Sequence, residues 1–300
     1  MKLSTLAVAI LLIAPAARAQ QGNRQAPDPR DMGGGRCAEN PVNCKDAARP
    51  IPGVDSVWLE ELTWMDVRDA VKGGKDTVII STGGMEPNGP YLATGKHNYV
   101  LQANCEAIAR KMGNALCAPI IKLVPEGDVE PPSGHMRTPG TISMREDTFR
   151  MMLEDTARSL RKSTGFKNIV FIGDSGGNQA GMKAVAEKLN AEWRDTAVVF
   201  IPEYYTYSSV MEYLASIGVK QTAPEHIHDD IAITLNMLIT DPKSVRWDQR
   251  VKAGKASING VSIADKKAAL ELAKKVVEFR ASKTVAAIQK SLAAKARAAN

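Results

Sequence analysis

Residues Thr77–Asn98 read TVIISTGGMEPNGPYLATGKHN, and the order of residue types in this stretch decides the fold. Val78-Ile79-Ile80 is a short apolar, β-branched run that predicts a buried strand. It breaks into Ser81-Thr82-Gly83-Gly84, where glycine frees the backbone to turn. Glu86, Asn88, His97 and Asn98 come next, on a loop interrupted by Gly89-Pro90 and Gly95. Polar side chains just past the C-terminal end of a buried strand occupy the usual ligand position of an α/β protein. An ordinary surface loop looks the same taken alone, so the flanking sequence has to decide.

Downstream, Tyr99 to Met112 carries Val100, Leu101, Ala103, Ile108 and Ala109 at helical spacing and stops near Gly113. Leu116 to Val124 predicts a second strand, and Pro125 to Thr138 a polar loop holding His135. Ser143 is read as the cap of an amphipathic helix from Arg145 to Lys162, with Gly165 as its stop. Asn168-Ile169-Val170-Phe171-Ile172 is the clearest strand; the turn Gly173-Asp174-Ser175-Gly176-Gly177-Asn178 and a helix to about Trp193 come after it. Ala197 to Ile201 predicts another strand, Tyr204–Ile217 and Asp229–Leu238 helices, and Ala264–Ala299 an Ala/Lys-rich helical region in two segments. Upstream, Thr63 is placed to cap a helix through Asp66 and Asp69 to Val71. Strands alternating with helices through short links mean an α/β fold, a mostly parallel sheet sandwiched between helices.

The first residues stand apart from this pattern. Lys2, the apolar run Leu6 to Ala14 and the small-x-small site Ala17-Arg18-Ala19 predict a cleavable leader ending before Gln20, hence a periplasmic or secreted protein. The run is short for a membrane span, and no later stretch approaches spanning length. Residues 20–53, rich in Gly, Pro, Asn and Arg, read as an arm or linker, 54–260 as the α/β domain, and 261–300 as a C-terminal helical extension.

Composition narrows the function classes. Aromatics at 5% argue against base-stacking surfaces, and the net charge of +6 reads as a solvated basic tail rather than a nucleic-acid footprint. In an exported chain, four cysteines invite pairing: Cys37 with Cys44 across a short loop, and Cys105 with Cys117 between helix and strand. A four-cysteine metal site is the alternative, disfavoured by the lack of Cys-x-x-Cys spacing.

Three loops can carry chemistry. The first holds Glu86, Asn88 and His97; the second offers Asp174, Ser175 and the backbone of Gly176 and Gly177 at a helix start. The third, Pro224-Glu225-His226-Ile227-His228-Asp229-Asp230, sets two histidines among carboxylates. Each has a plain structural reading, since acids favour a helix start and His135 can satisfy a loop backbone. Together they predict one cleft with a small-molecule substrate.

These loops resemble a known family. Gly84-Met85-Glu86-Pro87-Asn88-Gly89-Pro90-Tyr91-Leu92, His135-Met136-Arg137-Thr138-Pro139-Gly140-Thr141-Ile142-Ser143, Phe171 to Asn178 and His228 to Pro242 are similar, in order, to motifs of the creatininase (creatinine amidohydrolase) superfamily. The resemblance covers roughly Trp58 to Arg246. It implies a sandwich with a parallel sheet between helices, a homo-oligomer that is often a hexamer, and two divalent metals that activate water to hydrolyse a cyclic amide or related C–N bond. The departures are chemical: Glu86 stands unchanged, while Asn88 replaces a ligand His, His97 the bridging Asp, Ser175 a further His and Ile231 a Glu.

Two readings are open. In the first, Glu86, His97 and Asp174, with His228 or Asp229, bind one zinc or manganese ion; a metal-free variant makes Glu86 and His97 an acid/base pair and Ser175 the nucleophile or oxyanion donor. Asn88, His135, Gly176, Gly177 and Asn178 are then the substrate-binding positions. In the second, the cleft survives in a ligand-binding or structural oligomeric protein without catalysis.

Overall fold

The computed structural model describes residues 46–222 and 228–299. The predicted leader, most of the arm, the Cys37–Cys44 pairing, Glu225 and His226 lie outside those residues. The chain divides into two units, Met1–Pro52 and Gly53–Asn300, and the helices and strands of the described residues belong to the second.

Helix α1 (Trp64–Lys72) starts at a capping box: Thr63 Oγ1 accepts from the Asp66 amide at 3.2 Å, and Asp66 Oδ2 accepts from the Thr63 amide at 2.9 Å. Strand β1 (Thr77–Thr82) is buried along its whole length. Helix α2 (Lys96–Met112) then leads to β2 (Ala115–Cys117). After them come α3 (Glu146–Thr164), β3 (Asn168–Gly173), α4 (Gln179–Glu192) and β4 (Ala197–Phe200). The strands form one parallel sheet in the order β2-β1-β3-β4. Helices α5 (Tyr207–Ser216), α6 (Ile231–Thr240) and α7 (Trp247–Lys252) come next, then a two-stranded hairpin, β5 (Ser257–Ile258) with β6 (Val261–Ser262), and the long α8 (Lys266–Ala299). The α3 and α4 helices pack together on one side, while α2, α6 and α8 pack against one another. The mostly parallel α/β sandwich read from the sequence is therefore the observed architecture.

Several local expectations change. Pairing of the second strand stops at Cys117, because Pro119 has no amide to donate; beyond it Ile121 and Val124 make only isolated bridges. Ser143 does not cap α3, whose N-cap is Arg145. Its hydroxyl instead accepts from the Glu126 amide at 2.9 Å and donates to the Gly127 carbonyl at 2.6 Å, which fixes the loop carrying Glu126. The 204–217 region splits into a short 3-10 turn, Pro202–Tyr205, and α5. The C-terminal region is one helix, since it contains neither Gly nor Pro to break it. Cys105 on α2 and Cys117 on β2 are disulfide-bonded, tying helix to sheet. Among the described residues no helix is long and apolar enough to cross a membrane.

The placement of β1 and β3 positions the cleft. They are neighbours in register from Thr77 opposite Asn168 to Thr82 opposite Gly173, so the loops after both emerge together at one edge. Asn178 Nδ2 staples those loops, donating to Thr82 O at 3.1 Å, Thr82 Oγ1 at 2.8 Å and Gly83 O at 3.1 Å.

Candidate functional site

At that edge lies a cavity of about 690 Å³, walled by the loops after β1 and β3, the 125–135 loop and the start of α6. Glu86 is its centre. It is 2% exposed, and four basic side chains reach its carboxylate. Lys96 Nζ lies 2.7 Å from Oε1, His97 Nε2 2.9 Å and His228 Nδ1 2.9 Å from the same oxygen, and His135 Nδ1 2.7 Å from Oε2. Burial alone would raise the Glu86 carboxyl; the contacts to His228 and His97 and the charges of His97 and Lys96 outweigh it and hold the group well below the usual range.

Glu126 comes close to the same point, its Oε2 3.2 Å from His135 Nδ1. The approach depends on Gly84, at φ 155°, where an added Cβ would collide with Glu126 Oε1. Burial and the neighbouring Glu86 charge push the Glu126 carboxyl up to about 9, so two nearby carboxyls hold opposite protonation states at neutral pH.

His97 is gripped from both ring nitrogens. Its Nδ1 hydrogen-bonds Asp174 Oδ2 at 2.8 Å; its Nε2 faces Glu86 Oε1 but, off line, makes no hydrogen bond although buried. His228 Nδ1 is likewise buried without a hydrogen-bond partner, on a residue held at φ 57°. The His135 and His228 rings meet edge to face at 5.2 Å. Burial lowers the His135 imidazolium, whereas for His97 Asp174 and Glu86 overcome burial and raise it.

Behind His97, Asp174 is fully buried and met at both oxygens. Tyr207 donates its hydroxyl to Oδ1 at 2.8 Å, and Arg280, from the middle of α8, donates to the same oxygen at 3.0 Å. The Arg280 guanidinium lies over the rings of Tyr204, at 4.4 Å, and Tyr207, at 4.7 Å. Against burial, His97 and Arg280 hold the Asp174 carboxyl below its ordinary value.

The sequence-predicted positions divide accordingly. Glu86, His97, His135 and His228 converge; Ser175, Gly176 and Gly177 line the cavity, and Asp174 joins from behind His97. Asp229 lines the cavity wall with its Oδ1 accepting from Thr234 Oγ1 at 3.2 Å. Asn88 spends its amide on its own loop, donating to Glu86 O at 2.9 Å and Ala93 O at 3.1 Å, and Asn178 spends its own on stapling the β1 and β3 loops. Sequence reasoning missed Lys96, Glu126, Tyr207 and Arg280. Arg280 had a usable signal: it falls on the buried stripe Ala273, Val276, Ala281, Thr284 and Ile288 of α8, where a charge is out of place. Ligand atoms of Glu86, His135 and His228, and of Glu86, His97 and Glu126, each lie within 4.8 Å of one another, so Glu86 is shared by two donor sets able to hold a metal ion.

Known proteins give this geometry a context. Over residues 60–296 the chain matches the creatininase family, described as creatinine amidohydrolase. It is 28% identical over 121 residues to a mycofactocin precursor peptide peptidase of Mycobacterium ulcerans (strain Agy99), a match that takes in 40% of this chain and 48% of that one. The chain thus spans about half the length of that curated relative. A crystal structure of creatinine amidohydrolase superposes with a TM-score of 0.57 at 19% identity, covering 79% of this chain and 99% of the other. A structure described as creatininase Mn gives 0.57 at 20% identity, with 79% and 98% covered. One described as a Zn-Zn type creatininase mutant gives 0.55 at 20%, with the same coverage. Identities this low establish the shared fold alone.

Proposed function

Since the chain belongs to the creatininase family, we propose that it is a metal-assisted hydrolase of a C–N bond in a cyclic amide or related small molecule. The observation that carries this reading is the convergence of His97, His135 and His228 on one buried carboxylate, with His97 Nε2 and His228 Nδ1 left without hydrogen-bond partners. Imidazole nitrogens and carboxylate oxygens are donors that suit zinc and manganese. Relatives of the same fold described as manganese and Zn-Zn forms support that choice. Glu86 with histidine partners would hold the ion, which supplies Lewis acidity that activates water and polarises a carbonyl.

The chain's own groups supply the rest. Asp174 fixes the tautomer of His97 by accepting from Nδ1 and so keeps Nε2 turned toward Glu86. Glu126, protonated at neutral pH, can give its proton to the leaving nitrogen as general acid. Gly176 and Gly177 bring backbone without side chains to the cavity wall, where a carbonyl oxygen can lie close. The partial similarity to a peptidase favours a second substrate class, short peptides.

The test is turnover. Zinc- or manganese-loaded protein is assayed on a panel of cyclic amides and short peptides beside Glu86→Gln. Hydrolysis lost in the variant is expected; binding without turnover by the loaded parent would leave the ligand-binding reading instead. The leader at 1–19 supports export, which N-terminal sequencing of the mature chain beginning at Gln20 would check. Assembly as a homo-oligomer belongs to the same proposal, and light scattering reads it directly.

A further inference from the structure

Lys96 is the least expected side chain in the cleft. With His97 it forms the first turn of α2, a turn that contains no acidic residue. The exposed amides and dipole of a helix N-terminus favour anions, so two basic side chains there go against local preference. Conflicts of that kind are retained where a site requires them. Lys96 is 2% exposed and its Nζ rests 2.7 Å from Glu86 Oε1, the oxygen that His97 and His228 also face. The Glu86 carboxylate therefore already has a fixed, buried cation beside it.

The two donor sets differ in access. Glu86, His97 and Glu126 are all buried, and the Lys96 ammonium and His97 Nε2 both face Glu86 Oε1 in that closed space. The set formed by Glu86, His135 and His228 opens outward, its histidine side chains 29% and 33% exposed. Two imidazoles and a carboxylate with room for water is a normal catalytic zinc set. A second dication in the inner set would sit beside the ammonium in a low-dielectric pocket, and like charges repel most strongly there.

We propose that the Lys96 ammonium takes the charge position of a second metal, so that the cleft binds a single divalent ion, in the outer set Glu86, His135 and His228. The inference rests on the metal-site reading of the proposed function but does not need turnover to test it. The full mature chain is titrated with Zn²⁺ and, separately, Mn²⁺, and bound metal per chain is measured by elemental analysis and by the binding isotherm.

Wild type should give a one-site isotherm and one ion per chain. Lys96→Met should admit a second ion, and Lys96→Arg should keep the count at one. His135→Ala and His228→Ala should each weaken the wild-type ion at least tenfold, and His97→Ala should weaken it less. Two ions in wild type would overturn the proposal, as would one ion in folded Lys96→Met with unchanged affinity; both leave the metal-site reading standing. A wild-type ion lost in His97→Ala and kept in His135→Ala would overturn the choice of set. No ion in any variant would end the metal-site reading and this inference with it. Should Lys96→Met fail to fold, the wild-type isotherm and the arginine variant decide the count.

Discussion

Asp174 and Glu86 grip the same imidazole from opposite nitrogens, and their surroundings are opposite in kind. Asp174 is closed off: His97, Tyr207 and Arg280 meet its oxygens at 2.8–3.0 Å, each through a hydrogen bond. Glu86 is as buried, but two of the histidine nitrogens facing it make no hydrogen bond. A buried charge whose partners are all bonded to it holds structure in place. One whose partners remain orphaned is where a ligand belongs. The contrast assigns positioning to the inner end of the cleft and binding to its middle.

The largest expected effect breaks the inner end. Arg280→Met removes the cation from a fully buried carboxylate, and breaking such a pair costs about 3–5 kcal/mol. Chemical denaturation of the metal-free protein should show that loss, with Arg280→Lys recovering part of it. An unchanged midpoint would mean Asp174 does not depend on α8. Next comes the middle of the cleft. Glu86→Gln removes the oxygen anion common to both donor sets, and should weaken zinc by about 10²–10³-fold, more than loss of an outer partner does. The metal-free chain should also lose stability, because the neutral amide leaves the buried Lys96 ammonium without its anionic partner.

Asp174→Asn lies between these two and sharpens the comparison. The isosteric amide keeps contact with His97 but removes the charge that orients it, and changes of this kind cost about 10–100-fold in metal affinity or activity. If the metal is held in the outer set, to which His97 does not belong, the loss of zinc affinity should fall below that range and not exceed that of His97→Ala. Competition with a coloured chelator measures it.

How much of this can be read from the sequence depends on the range of the contacts. The β1 run and its glycine loop are legible because burial and turning are encoded within a few residues, and so is Thr63 as the cap of α1. Four histidines among acids and glycines announce a cleft by residue type alone. Arg280 is not legible, since its contact with Asp174 joins α8 to the end of β3 through tertiary packing only. Lys96 is masked by the more conspicuous His97 beside it, and no residue pattern states that Glu126 is held neutral. Asn88 stands at the motif position of a ligand His, yet its short amide is captured by carbonyls of its own loop. The predicted length of the second strand fails at one residue, Pro119.

A pH slope tests the asymmetry between the two neighbouring carboxyls. Glu126 has its folded value raised to about 9 from an ordinary 4.5, so between those limits the folded chain keeps a proton that the unfolded chain releases. Stability from this group is therefore full below about pH 4.5 and is lost as pH rises toward 9, at no more than about 1.4 kcal/mol per pH unit. Glu86 acts in the other direction, its contribution present above its ordinary 4.5 and lost in acid. In the metal-free protein, Tm should fall by about 2–4 °C per unit between pH 6 and 8 relative to Glu126→Gln, which carries no such proton. Equal slopes in the two proteins would show that Glu126 is ionised when folded. Proton donation to the leaving nitrogen would then need another source, and the inner end of the cleft would carry one more negative charge than Lys96 offsets.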